Sequence, residues 1–470
     1  MKKIIFAVGL VYLLVLLTND GFMASDEYWT AMTRYLPAQT SSVKNLVSYD
    51  DVKSPLQILP MHAMAQLAHF AGVQSSYWQY RFVIFTLGLL NTLILFWAIS
   101  VLSRLFPEEK KFYFILYGFY FAAPFVLTRP MFESLAAPWL ALSVAYGLTY
   151  DKNENLSDLV WATFAVSVAF VLRQQVGFCA LGLIGLTLLK KNFRHFAFCA
   201  GTGFGFFLIS GIPDYFLRGK FHYSLWAVTT YNFEHGQEYG NEPWTYYPLM
   251  ILALTLSPFF VMKYPTNFWK NHLRSQRLNL IFIFLFVFLH SLFPQKFERF
   301  LISLLPLLIF FMANPFRQLF LEKSKRVWRW RGLTLINFLL FVPASFSPAQ
   351  KNIIGLSRFL DNNPQFSQVL SVNETLTWIP EIFIEKSRPH ILQILNEQIK
   401  TLNADDCSQV LIVNSYFDEI LKSELSRFQL VKEFPVNYIE NLAYQLNKKN
   451  NLRRTALLVY GCRKTTSEQN

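Results

Sequence analysis

Apolar runs recur along this chain at 4–18, 80–102, 112–128, 131–149, 157–172, 175–189, 196–213, 246–262, 278–293, 299–313 and 332–347. A helix that crosses a hydrocarbon layer of ~30 Å needs roughly 20 apolar residues, and a soluble core has no use for so many stretches of this length. The pattern predicts an all-α polytopic membrane protein with about 11 transmembrane helices. Several runs are short, so their helices extend beyond the run or mismatch the bilayer slightly. A content of 53% hydrophobic residues with 48 Phe and 22 Tyr agrees with a membrane protein and excludes one ordinary soluble core.

A formal charge of +13 raises the question of nucleic acid. The basic residues, however, stand in short clusters between apolar runs, at Lys2-Lys3, 104–111, 190–194, 263–277 and 317–331. Counting runs puts all five clusters on one side, which the positive-inside rule makes the cytoplasm. Membrane orientation explains the charge, and no nucleic-acid partner is predicted. The first run follows Lys2 and Lys3 without a small-x-small cleavage site after it, so it is expected to be a retained span. The opposite face then receives 19–79, 214–245, the turn around Lys296 and everything after residue 347.

Asp26 and Glu27 follow the first run by a few residues, at the expected membrane surface. Adjacent carboxylates there are costly if desolvated, which makes them functional candidates. They also suit an ordinary helix start, with Ser25 as cap and negative charge near the positive end of the dipole. Amphipathic stretches at 28–36 and 56–70 are expected to lie flat on the membrane. Asp50 and Asp51 read as a solvated turn. Arg129, with Glu133 four residues on, and Arg173 fall at outer turns, where they can snorkel or, if several converge, bind phosphate.

The second long outer loop carries Asp214, Tyr215, Tyr231-Asn232, Tyr239-Gly240 and Pro243-Trp244-Thr245-Tyr246-Tyr247. Together with Ala24-Ser25-Asp26-Glu27, the turn Thr128-Arg129 with Glu133, and Gln295-Lys296-Phe297-Glu298-Arg299-Phe300-Leu301 continuing to Pro306-Leu307, this order of blocks resembles glycosyltransferase family 22 over about residues 1 to 310. Those enzymes are inverting mannosyltransferases that use a lipid-phosphate mannose. The resemblance implies a GT-C architecture, an outer-face active site, a polyprenyl-phosphate sugar donor and a lipid-linked glycan or glycolipid acceptor. Three family histidines are replaced, by Ala24, Thr245 and Gln295, and Phe297 stands for a charged residue, which points to a divergent, bacterial acceptor.

Inverting transfer needs a base for the acceptor hydroxyl and positive charge on the departing phosphate. Asp26 is the candidate base and Glu27 an orienting or acceptor-binding group. Lys296, Arg299 and Arg129 are candidates for the donor phosphate. Asp214, Tyr231, Asn232, Tyr239, Trp244 and Tyr247 are candidates for substrate contact. Without the resemblance, Lys296 and Arg299 read as interfacial anchors and the aromatics as belt residues. No metal-ligand spacing occurs, and no metal or other cofactor is expected.

After residue 347 the chain becomes polar, with β-like runs at 410–413 and 456–459 and a helical stretch at 388–402. The expected organisation is a transmembrane catalytic domain, 1–347, and a small α/β domain on the outer face, 348–470. A disulfide between Cys407 and Cys462 is permitted but not implied. Cys179 and Cys199 read as buried thiols. The expected location is a bacterial inner membrane, or the ER membrane in a eukaryotic host. The competing class is a transporter or flippase of a lipid-linked sugar; such proteins show internal repeats or paired broken helices, and neither is evident here.

Overall fold

The computed structural model describes residues 1–36, 53–236, 242–256, 264, 266–293, 296–325, 327–373, 379–446, 448 and 454–463. Tyr239, Asp50 and Asp51 lie outside them. The chain forms two compact units. One comprises Met1–Leu17, Thr40–Gln66 and Phe82–Ser345, the other Thr18–Gln39, Leu67–Arg81 and Phe346–Asn470.

The first unit is helical. Among the described residues four helices are long and apolar enough to cross a membrane, namely Ser76–Leu105, Phe193–Arg218, Glu298–Leu321 and Val327–Asp361. Asn267–Ser275 and Arg277–Ser291, bent by 75° at their junction, make a fifth if the pair is one span. Length accounts for some of the difference from the eleven runs in the sequence, since Lys2–Thr18 and Leu156–Leu172 have only 17 residues each, but not for Phe132–Asn153, which has 22.

Burial sorts the spans. Most of Glu298–Leu321 is enclosed by protein, whereas Phe193–Arg218 and the Val327–Phe346 part of the last helix leave most of their apolar surface uncovered, as lipid-facing helices do. The helix Phe132–Asn153 packs against Leu156–Leu172 and against the 3₁₀ segment Glu298–Leu304. Asparagines fasten this interior. Asn91 Nδ2 donates to the carbonyls of Leu127 (3.0 Å) and Ser134 (3.1 Å), and Asn279 Nδ2 to that of Leu307 (3.0 Å). Away from water such bonds orient helices that hydrophobicity alone leaves free to slide.

Charged residues gather at both ends of Phe132–Asn153. At its C-terminal end Asp151 accepts from Arg277 Nε at 2.6 Å and pairs with Lys190 at 3.5 Å, while Lys190 reaches Glu154 at 2.9 Å. Three separate basic and acidic turns thus share one end of the unit. At the other end Glu133 meets Arg173, 3.0 Å away.

The second unit is built on a five-stranded sheet of β1 (Gln368–Val372), β2 (His390–Ile394), β3 (Gln409–Asn414), β4 (Gln429–Phe434) and β5 (Leu457–Gly461), ordered β2-β1-β3-β5-β4. β1 runs parallel to β2 and β3, with Val369 opposite Ile391 and Val410, and β5 runs antiparallel to β3 and β4. Alternate residues serve opposite faces. Val369, Val410 and Ile412 join Ile353, Leu356 and Leu360 of the helix Lys351–Asp361, while Leu370, Leu411 and Val413 pack with Leu421, Leu425 and Phe428. Burial on both faces is why residues 410–413 read as an unbroken apolar run.

The helix expected over 388–402 does not form: β2 and a 3₁₀ segment, Asn396–Thr401, replace it. His390–Ile394 has little burial of its own and is drawn into the sheet by backbone pairing with β1. Cys407 and Cys462, flanking β3 and β5, are joined by a disulfide with Cα atoms 4.8 Å apart. Cys179 and Cys199 are buried thiols.

Candidate functional site

Each unit carries a polar centre that includes candidate catalytic or phosphate-binding residues. In the second unit it is the acidic turn. The helix Ser25–Thr30 follows Ala24, whose extended backbone is the N-cap, so Ser25 is the first helical residue and not the N-cap position. Glu27 does the capping instead, from three residues into the helix. Its Oε2 accepts the Met23 N–H at 2.8 Å and its Oε1 accepts the Tyr80 hydroxyl at 3.0 Å. Only 2% of Glu27 is exposed. A carboxylate so buried is tolerable because both oxygens are hydrogen-bonded.

An aromatic shell closes over it. Phe22 lies 5.4 Å from Tyr28, 5.0 Å from Tyr80 and 6.3 Å from Phe383, ring centre to ring centre, and Phe383 lies 5.6 Å from both Tyr77 and Tyr80. Tyr28 donates to the Ile379 carbonyl at 2.5 Å, Tyr80 to that of Gly21 at 3.1 Å, and Tyr77 to Asp20. Burial, and then the nearby Glu381 carboxylate, push the Tyr28 hydroxyl up from its ordinary pKa, so it stays a donor. Gly21 is essential to this closeness: a Cβ there would stand 1.5 Å from the Ala349 carbonyl oxygen. Asp26 occupies the second position of the helix, beside Glu27.

In the first unit the polar centre is basic. Arg173 and Arg299 lie against one ring, their guanidinium carbons 5.0 Å and 5.5 Å from the centre of Phe300. Arg299 also covers Phe297 at 4.7 Å. Glu133 neutralises Arg173. Lys296 is buried, and its Nζ donates to the carbonyls of Glu242 (2.8 Å) and Phe293 (2.7 Å). Burial holds its ammonium below the ordinary lysine range, against the opposing pull of Glu242.

The remaining candidates are dispersed. Arg129 is 1% exposed and packs on Phe125, 5.5 Å from the ring centre. Asp214 is buried and saturated: Oδ1 accepts from Arg218 at 2.8 Å and Oδ2 from the Ser224 N–H at 2.9 Å, while Arg218 also donates to the Lys53 carbonyl at 3.0 Å. Those bonds fix the start of the helix Tyr223–Glu234 rather than leave Asp214 open to a substrate. Tyr231, on that helix, borders a cleft of about 500 Å³ together with Tyr223, Trp226 and Glu234. Asn232 Nδ2 is turned back to the Val228 carbonyl at 2.7 Å. Trp244 is 72% exposed, and Tyr247 is fully buried against His290. Among the described residues no group of three His, Cys, Asp or Glu is placed to hold a metal.

Tyr80 and Phe383 were not singled out from the sequence as site residues, whereas Arg173 was read as an outer-turn arginine able to snorkel or, with others, to bind phosphate. Tyr80 and Phe383 look like any interfacial aromatic until the chain folds.

The sequence profile of the Alg9-like mannosyltransferase family matches residues 4–360. No curated protein matches. Two solved structures of ArnT from Cupriavidus metallidurans share the fold at 12% identity. The apo state superposes with a TM-score of 0.55, covering 97% of each chain. The state bound to undecaprenyl phosphate gives 0.53, covering 97% of this chain and 98% of that one.

Proposed function

Since this chain belongs to the Alg9-like mannosyltransferase family and is a membrane glycosyltransferase of GT-C fold, we propose that it transfers mannose, with inversion, from a polyprenyl-phosphate donor to a hydroxyl of a lipid-linked glycan or glycolipid. The observation that carries the donor assignment is the placing of Arg173 and Arg299 on one ring, Phe300. Two arginines on one ring supply two forks of donors, one of them already balanced by Glu133, and arginine forks match phosphate oxygens. The binding of undecaprenyl phosphate by ArnT, which shares the fold, is in keeping with a lipid phosphate.

Asp26 takes the proton of the acceptor hydroxyl as its oxygen attacks the anomeric carbon. The bond from that carbon to the phosphate oxygen breaks on the opposite side, and the electron pair leaves on the lipid phosphate. Arg299, Arg173 and Lys296 stabilise that phosphate. Glu27 has both oxygens engaged by Met23 and Tyr80, so it orients the turn and leaves the base role to Asp26. Catalysis takes place on the extracytoplasmic face of a bacterial inner membrane, and shorter apolar helices such as Lys2–Thr18 complete about eleven crossings. The Cys407–Cys462 disulfide supports that placement, because such bonds persist in oxidising compartments.

The test is transfer from synthetic polyprenyl-phosphate mannose by purified protein supplied with host lipid extract. The expected product carries mannose with its anomeric configuration inverted. Retention of configuration, or no transfer to any lipid in the extract, contradicts the reading.

A further inference from the structure

The second unit holds a cleft of about 500 Å³ between the chain at 74–76 and the segment 381–391. Its rim is polar, with Gln74, Glu381, Glu385 and Arg388; its floor is apolar, with Ile382, Ile384 and Ile391. Glu385 is half committed, since Oε1 accepts the Ser76 N–H. The Glu381 carboxylate and the Arg388 guanidinium make no hydrogen bond or ion pair among the described residues. Arg388 stands there with φ +37°, a backbone conformation rare outside glycine and one that functional sites often hold.

This arrangement suits one chemistry. Paired carboxylate oxygens accept from vicinal hydroxyls, a guanidinium donates to ring or hydroxyl oxygens, and the isoleucine floor covers the C–H face of a pyranose. Two carboxylates against one guanidinium repel a phosphate or an acidic sugar, so the ligand carries no negative charge. The cleft also adjoins the acidic turn through a single segment. In 379–385 Phe383 packs on Phe22 and Tyr80, Ile379 accepts from Tyr28, and Glu381, Ile382, Ile384 and Glu385 line the cleft.

We propose that this cleft binds a neutral pyranose unit of the acceptor glycan, next to the turn that bears Asp26 and Glu27. The assignment to an acceptor rests on the transferase reading above; the site itself does not. Residues 381–391 lie beyond the part of the chain that the family profile covers, while Gln74 and Ser76 lie within it.

Binding is measured by saturation-transfer NMR on the full-length protein in detergent, with methyl α-D-mannopyranoside and methyl β-D-glucopyranoside as probes at millimolar concentration. The expected result is saturable binding of at least one glycoside, weakened about tenfold by Arg388→Ala and by Glu381→Gln, as the loss of one charged hydrogen bond implies. The Asp26→Asn variant keeps the binding. Unfolding midpoints confirm that the variants are folded, and Arg388→Lys, which keeps the charge, binds better than Arg388→Ala. Absence of saturable binding of both glycosides to the unaltered protein, or binding indifferent to both substitutions, overturns the proposal. Glycoside binding that persists while no mannose is transferred from the lipid donor removes the transferase reading and leaves the sugar site standing.

Discussion

At Phe300 two cations share a ring, and the consequence for kinetics is specific. Arg299→Ala and Arg173→Ala each remove a fork of donors from the proposed phosphate site and are expected to raise the donor KM about tenfold or more. Lysine at either position restores the charge but not the planar fork, so rescue is partial. Steady-state kinetics with varied donor decide it; variants whose donor KM is unchanged remove these arginines from the donor site. A second residue-scale expectation concerns pH. Asp406 accepts from the Ser408 N–H (2.9 Å), the Ser408 hydroxyl (2.7 Å) and Gln409 (2.6 Å), and these bonds hold its carboxyl below the ordinary aspartate range. A depressed folded-state pKa adds stability above the unfolded value, about 3.9, and that stability is lost as pH falls through the depressed value. Ser408→Ala therefore lowers the unfolding midpoint at pH 6 by an amount that shrinks as pH falls below about 4. A difference that grows in acid contradicts the assignment.

Among the elements, the acidic turn depends on close backbone contact. Gly21→Ala puts a methyl into the Ala349 carbonyl, so the turn must shift, at a cost of about 2 kcal/mol or more by the usual range for such clashes. Its expected signature is a lower unfolding midpoint together with loss of transfer; a variant with wild-type midpoint and activity shows that the turn is not held this way. The staple at Cys407 and Cys462 spans 55 residues, for which the chain-entropy relation gives about 4 kcal/mol. The double serine variant should unfold at markedly lower denaturant, and unchanged unfolding would show that the bond does not form in the native protein. Sequence legibility followed burial and range. Residues 410–413 announced β3 because both faces are covered, while β2 was taken for helix because an edge strand with exposed side chains keeps little periodicity. The partners of Glu27 and Tyr28 stand 53 and 351 residues away, and the ion pair of Arg173 reaches back to Glu133. No local pattern encodes such distances. Asp214 shows the converse: its position was legible, but its saturation by Arg218 and Ser224 was not.

For the molecule as a whole, the sequence predicted a helical membrane unit followed by a small mixed domain, and the chain has both. What linear reading missed is that the second unit is assembled from three separated segments, with 18–39 and 67–81 joined to the C-terminal sheet. The acidic turn therefore belongs with the sheet and its sugar-sized cleft, not merely with the apolar run that precedes it. The central claim is that this protein is a transferase whose base is Asp26. The most direct measurement is initial-rate mannose transfer from polyprenyl-phosphate mannose by the wild type, Asp26→Asn and Glu27→Gln, each checked for folding by its unfolding midpoint. Loss of a general base lowers the rate by about 10² to 10⁴. The expected result is a fall of that size in Asp26→Asn with the midpoint unchanged, and in Glu27→Gln a lower midpoint with a smaller loss of rate. Wild-type transfer by Asp26→Asn contradicts the account.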